Sequence, residues 1–198
     1  MKSLLIAVIL LLLSSSFCSA IAPTNDETIR EAQIYGKINN TSTLTDFISP
    51  WTAYEENAQK LDDSSEYANL YTPFLLVAAD AREKSIVGQT VKLIDSQRIL
   101  RQYSGYLTFS VVLFGTTPYF SEPIKCVLIT DQKTIDFHQA SPAEITKTPW
   151  YPNQPLYLSK HYFYFPDDQV DVYKPAILVL TTVDKREHKF YFNLNNIR

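Results

Sequence analysis

Glycine is scarce in this chain. Only Gly36, Gly88, Gly105 and Gly115 occur. With so few, neither a P-loop nor a G-x-G-x-x-G dinucleotide loop can be written anywhere, because both need closely spaced glycines to bring backbone N–H groups against phosphate. The G-x-S-x-G elbow of the α/β-hydrolases is absent for the same reason. Cysteine is almost as rare, with Cys18 and Cys126 alone. The three histidines, His138, His161 and His188, lie far apart, without H-E-x-x-H or paired-cysteine spacing, so no zinc-ligand pattern is present. There is also no basic run. Lysines and arginines are dispersed and outnumbered, 18 against 21 acidic residues, which excludes the concentrated positive surface that nucleic-acid binding requires. These absences leave no expected cofactor and no nucleic-acid partner.

One long apolar run exists, at the very start. Lys2 precedes ten apolar residues, Leu4 to Leu13, followed by a serine cluster and the small residues Ser19 and Ala20. This is the layout of a secretory signal peptide over residues 1–20, cleaved after Ala20. At ten residues the run is too short for a membrane-spanning helix, which needs roughly 20, so no membrane span is expected after cleavage. A lipid on Cys18 is the alternative anchor, but Phe17 stands where lipoprotein signals carry a small residue. With Cys18 removed, Cys126 has no intramolecular partner and the folded chain carries no disulfide. Loss of Lys2 also leaves the acidic excess one charge larger than the −3 of the whole chain. An exported protein of a bacterial envelope, periplasmic or extracellular, fits this profile.

The remaining chain changes character near residue 85. Residues 21–85 read as a helical arm packed on the domain C-terminal to it. "NDETIREAQIY" is an amphipathic helix capped by Thr24 or Asn25, with Ile29, Ala32 and Ile34 or Tyr35 on one side. Pro50 opens "PWTAYEENAQKL", read as a second helix with Trp51, Tyr54 and Ala58 inward. "TPFLLVAADAREKS" has Thr72 as cap, Pro73 at the first helical position and Phe74, Val77, Ala78 and Ala81 on one face.

Residues 86–198 are mostly β. A short helix, "DSQRILRQYSG", with Ile99, Leu100 and Tyr103 inward, precedes "YLTFSVVLF", in which Leu107, Phe109, Val111 and Leu113 recur with the period of two that marks a half-buried strand. "IKCVLIT-DQK-TIDFH" is a hairpin, and "LYLSKHYFYF", "AILVLTTV" and "HKFYFNL" are the strands beyond it. The fold class is therefore α+β: an antiparallel, sandwich-like domain of about five to seven strands, with N-terminal helices and one short helix before the main sheet.

Within "LYLSKHYFYF" strict alternation separates Leu156 and Leu158 from Phe163 and Phe165. A β-bulge at Ser159–Lys160 would restore one apolar face of Leu156, Leu158, His161, Phe163 and Phe165, and turn Tyr157, Tyr162 and Tyr164 outward. Those tyrosines, with Trp150 and Tyr151 of "TPWYPNQP", form the candidate contact surface in a chain of thirteen tyrosines. "DDQVD" offers Asp167, Asp168 and Asp171 as a weak calcium candidate, short of the 6–8 oxygens that calcium takes. Asp136 with His138, and Glu187 with His188, read as solvent-facing strand and turn residues. The carboxylate pairs Asp80/Glu83 and Asp62/Asp63 read as surface charge. The functions in view are, in order, an exported non-catalytic protein acting through protein–protein contacts, a carbohydrate-binding module stacking sugars on its aromatics, and an envelope hydrolase. The partner is thus an unidentified protein or glycan.

Overall fold

A computed structural model describes residues 25–198, apart from Pro123 and Gln132. The expected leader, its expected cleavage point and Cys18 lie outside the described residues. Four α-helices and two antiparallel sheets are present among the described residues, a mixed α+β architecture in which neither sheet closes on itself.

The helices are α1 (Asp26–Ile38), α2 (Leu44–Ile48), α3 (Pro73–Ile86) and α4 (Leu93–Gln102). Asn25 caps α1, its Oδ1 accepting from the Thr28 backbone N–H at 2.8 Å. Thr72 caps α3 through its hydroxyl oxygen, which accepts from the Leu75 N–H, and Pro73 fills the first helical position. Ile29 and Ala32 of α1 bury against α3, where Phe74, Val77, Ala78 and Ala81 are buried as the spacing predicts. Gly36 lets the two backbones approach closely: a Cβ there would lie 2.1 Å from the Ala78 carbonyl oxygen.

The larger sheet runs β1 (Thr52–Tyr54), β2 (Tyr67–Tyr71), β3 (Tyr106–Gly115), β8 (Tyr157–Pro166) and β6 (Gln139–Ala140), with β7 (Glu144–Lys147) also paired to β8. The smaller sheet runs β10 (Glu187–Asn193), β9 (Pro175–Thr181), β4 (Lys125–Thr130) and β5 (Lys133–Asp136). Leu107, Phe109, Val111 and Leu113 of β3 are all buried. So are Leu128 and the free Cys126 of β4. The Phe109 ring meets Phe192 of β10 at 5.2 Å, and a single cluster of buried side chains joins both sheets to α1 and α3.

Three expectations are corrected. The second helix does not form. Pro50 sits in a 3-10 turn, Thr52–Tyr54 is β1, and Trp51 is anchored by its indole N–H, which donates to Thr72 Oγ1 and the Arg198 carbonyl. Two strands of the larger sheet therefore come from the segment read as helical. Second, β8 has no bulge: it pairs with β3 in unbroken register from Tyr157↔Gly115 to Pro166↔Tyr106. The core-side position at the front of the strand is filled by Ser159, buried and within 3.1 Å of His161 Nε2, while Leu158 turns to the other face with Tyr162 and Tyr164. A small side chain there removes the need for a bulge. Third, Tyr103 does not point inward. It closes the C-terminal end of α4 and is 39% exposed.

Candidate functional site

The outer face of the larger sheet, opposite the shared core, is built by alternation. The central strand β3 places Thr108, Ser110 and Val112 there, while β2 places Tyr67, Asn69 and Tyr71, and β8 places Lys160, Tyr162 and Tyr164. Small side chains thus form a floor, and long ones from the flanking strands form walls. The floor is polar. Thr52 Oγ1 donates to Asn69 Oδ1 at 2.7 Å, and Asn69 Nδ2 lies 3.4 Å from Ser110 Oγ. Burial pushes the Tyr67 and Tyr71 hydroxyls up from their ordinary range, so both are neutral donors at physiological pH.

Beyond this floor the helices supply a far wall: Leu76 from α3 and Tyr103 from the end of α4. Three hollows of about 350, 370 and 300 Å³ open along this boundary, and Tyr103 lines all three. Tyr71 lines two of them, as do Tyr106 and Tyr164. Tyr106 is stacked on His138 at 5.5 Å and meets Tyr164 edge-on at 6.4 Å. The aromatics therefore neither form an open platform nor lie beneath the helices. They form a groove.

One atom in it is anomalous. Thr108 borders the hollow between Tyr71, Tyr162 and Tyr164 but is only 3% exposed, and its hydroxyl is buried without a hydrogen-bond partner. Buried polar groups are nearly always paired, and leaving one unpaired costs about 1–3 kcal/mol. Charge is sparse. Glu144 and Asp167 line the hollows, and among the described residues no lysine or arginine does. Lys160 stands beside the groove with its Nζ 5.0 Å from the Tyr162 ring centroid.

The five aromatics singled out in the sequence separate into two groups. Tyr162 and Tyr164 are groove walls. Tyr157 belongs to the other end of β8, where it lies 6.4 Å from Tyr151, while Trp150 packs on Phe114 at 5.8 Å. Lys147 sits 4.1 Å over the exposed Tyr151 ring. Tyr71, Tyr103, Tyr106 and Thr108 were missed, although the alternation of Thr108 and Ser110 with apolar residues in "YLTFSVVLF" already marked a face of small polar groups.

Asp171 Oδ1 accepts from the Tyr173 N–H, and among the described residues no three His, Cys, Asp or Glu side chains converge as metal ligands. Asp80 pairs with Lys84, and Asp62 accepts from Ser64, as surface groups do.

His188 differs from its expected place at the surface. It is 2% exposed, and its Nδ1 faces Glu66 Oε2 at 2.7 Å, tying β10 to the residue before β2. Glu66 also takes Arg186 Nη2 at 3.3 Å and the Phe114 N–H, beside a cleft of about 310 Å³ that Glu55 shares. Thr182 Oγ1 lies 3.4 Å from His188 Nε2, an outline that resembles a nucleophile–histidine–carboxylate chain. Its proton goes elsewhere, to Asp184 at 2.6 Å, and neither Thr182 nor His188 lines the cleft. Glu55 accepts from two Asn57 N–H groups. The cluster is a buried tie between sheets.

No helix among the described residues is long and apolar enough to cross a membrane. Comparison of the chain with known protein families, with curated proteins and with solved structures finds no match.

Proposed function

We propose that the chain is an exported, non-catalytic carbohydrate-binding protein whose sugar site is the groove walled by Tyr71, Tyr103, Tyr106, Tyr162 and Tyr164. In this reading residues 1–20 are the export signal, and the two sheets face each other as a sandwich-like pair with the groove on the outer surface of one. The unpartnered Thr108 hydroxyl, buried at the base of a hollow walled by tyrosine rings, carries the proposal. A sugar supplies what that arrangement lacks: a hydroxyl that pairs with Thr108 while its C–H face rests on an aromatic ring. Each hollow reaches the lower end of the size range of small-molecule sites, about 300–1,000 Å³.

Protein–protein contact is the second reading, favoured by the separate aromatic group at the other end of β8, where Tyr151 is 44% exposed. Protein interfaces cover about 800 Å² per partner and engage a broad surface rather than hollows. A screen of the mature protein on immobilised glycans, in parallel with Tyr71→Ala and Tyr164→Ala, tests the choice. Binding that both substitutions abolish supports the groove. Binding lost only on Trp150→Ala or Tyr151→Ala, or no glycan binding at all, rejects it.

A further inference from the structure

We infer that the groove takes a linear, uncharged oligosaccharide of at least two sugar units, threaded past Tyr103. This rests on the carbohydrate reading above and specifies its ligand.

The length comes from how the hollows join. Three separate hollows would each seat an isolated ring, but these three share a wall. Tyr103 borders every one of them, Tyr71 and Leu76 connect two, and Tyr164 links another two. A ligand filling one hollow therefore lies against Tyr103 and can continue into the next. The shared residue is a single exposed side chain at the end of α4, against which a chain passing from one hollow to the next would rest.

The absence of charge comes from the lining. Acidic glycans bring carboxylates or sulfates, which bind where cations or clustered N–H donors meet them. Among the described residues no cationic side chain lines the hollows, and the two charged residues that do, Glu144 and Asp167, repel an anion. Lys160, which stands beside the groove, is engaged with Tyr162; burial pushes its ammonium down, but Tyr162, Tyr71 and Glu144 together more than offset this and hold it above the usual lysine range. The other polar groups that line the hollows are neutral: tyrosine hydroxyls and the side chains of Gln102, Gln139 and Ser141, with the unpartnered Thr108 buried at the base.

Calorimetric titration with defined oligomers tests this. The probes are β-1,4-linked glucose, β-1,4-linked N-acetylglucosamine and α-1,4-linked glucose, each from one to six units, with α-1,4-linked galacturonate oligomers as the acidic counterpart. At least one neutral series should bind with an affinity that rises tenfold or more from the monomer to the trimer or tetramer and then levels off. The galacturonates should bind at least tenfold more weakly. Tyr103→Ala should remove most of the gain with length while leaving the melting temperature near that of the parent protein, since the side chain is exposed. Affinity that is flat with length, or that favours the acidic chain, overturns this inference and leaves the carbohydrate reading standing. Failure of every sugar, neutral and acidic, overturns both.

Discussion

The rings of Tyr71 and Tyr162 lie 6.4 Å apart, tilted by 49°, reaching toward each other from the two strands that flank β3. Between those strands Ser110 is completely buried although it belongs to the outer face of the sheet. Two tyrosines thus roof the polar floor at Ser110, and Thr108, also buried, lies one step along it at the edge of the hollow. Aromatic pairs of this kind are worth about 0.5–1.5 kcal/mol beyond the area they bury. A double-mutant cycle with Tyr71→Leu and Tyr162→Leu should return a coupling in that range by urea unfolding. Strict additivity would mean that the rings do not touch in solution.

The alternation along β8 assigns neighbouring residues different work. Phe163 and Phe165 are fully buried, and Phe→Ala at either should cost about 3–5 kcal/mol. Tyr164 is a half-buried wall of the groove, so Tyr164→Ser should cost about 1 kcal/mol or less, with the loss falling on ligand binding instead. Equal destabilisation at all three positions would show a strand buried on both faces and would remove the groove.

Gly36 is required by packing. The carbonyl of Ala78 and the backbone N of Arg82 stand 2.1 and 2.9 Å from where its Cβ would be, and backbone cannot move aside as a side chain can. Gly36→Ala gains helix propensity, about 1 kcal/mol, yet should destabilise the protein by about 1–3 kcal/mol through separation of α1 from α3. A variant as stable as the parent would mean that the two helices do not cross this closely.

Burial lowers the pKa of His161 from 6.5 to about 4. The unfolded chain therefore binds a proton that the folded one refuses across that interval. Stability attributable to this group is complete above pH 6.5 and is lost progressively as pH falls toward 4, by about 3 kcal/mol in all. His161→Leu, which keeps an apolar side chain in the site, should lose less stability than the parent between pH 7 and 4.5, measured as urea midpoints. Parallel losses in the two proteins would place the proton uptake elsewhere.

Much of this fold is legible in the sequence because its signals are local. The caps Asn25 and Thr72, Pro73 and the period of two in β3 each act on a few consecutive residues. What was misread depends on partners far along the chain. Thr52–Tyr54 is a strand because β2 lies beside it, and its neighbour Trp51 is fixed by a carbonyl at Arg198. His188 looks like a turn residue beside Glu187, and only the fold brings Glu66 to it. The groove divides in the same way. Tyr162 and Tyr164 could be recognised from their own strand. Tyr71 and Tyr103 join them only through sheet order and the position of α4, which no local pattern encodes.

Thr108→Val tests the groove most directly. The substitution keeps the shape of the side chain and deletes only the hydroxyl, which has no partner within the protein. Removing a buried, unpaired polar atom should leave the melting temperature unchanged or raised. Calorimetric titration of this variant with the tightest-binding neutral oligosaccharide should show affinity about tenfold weaker than that of the parent, the loss of one hydrogen bond. A variant that binds sugar as tightly as the parent would contradict the assignment of the tyrosine groove as the binding site.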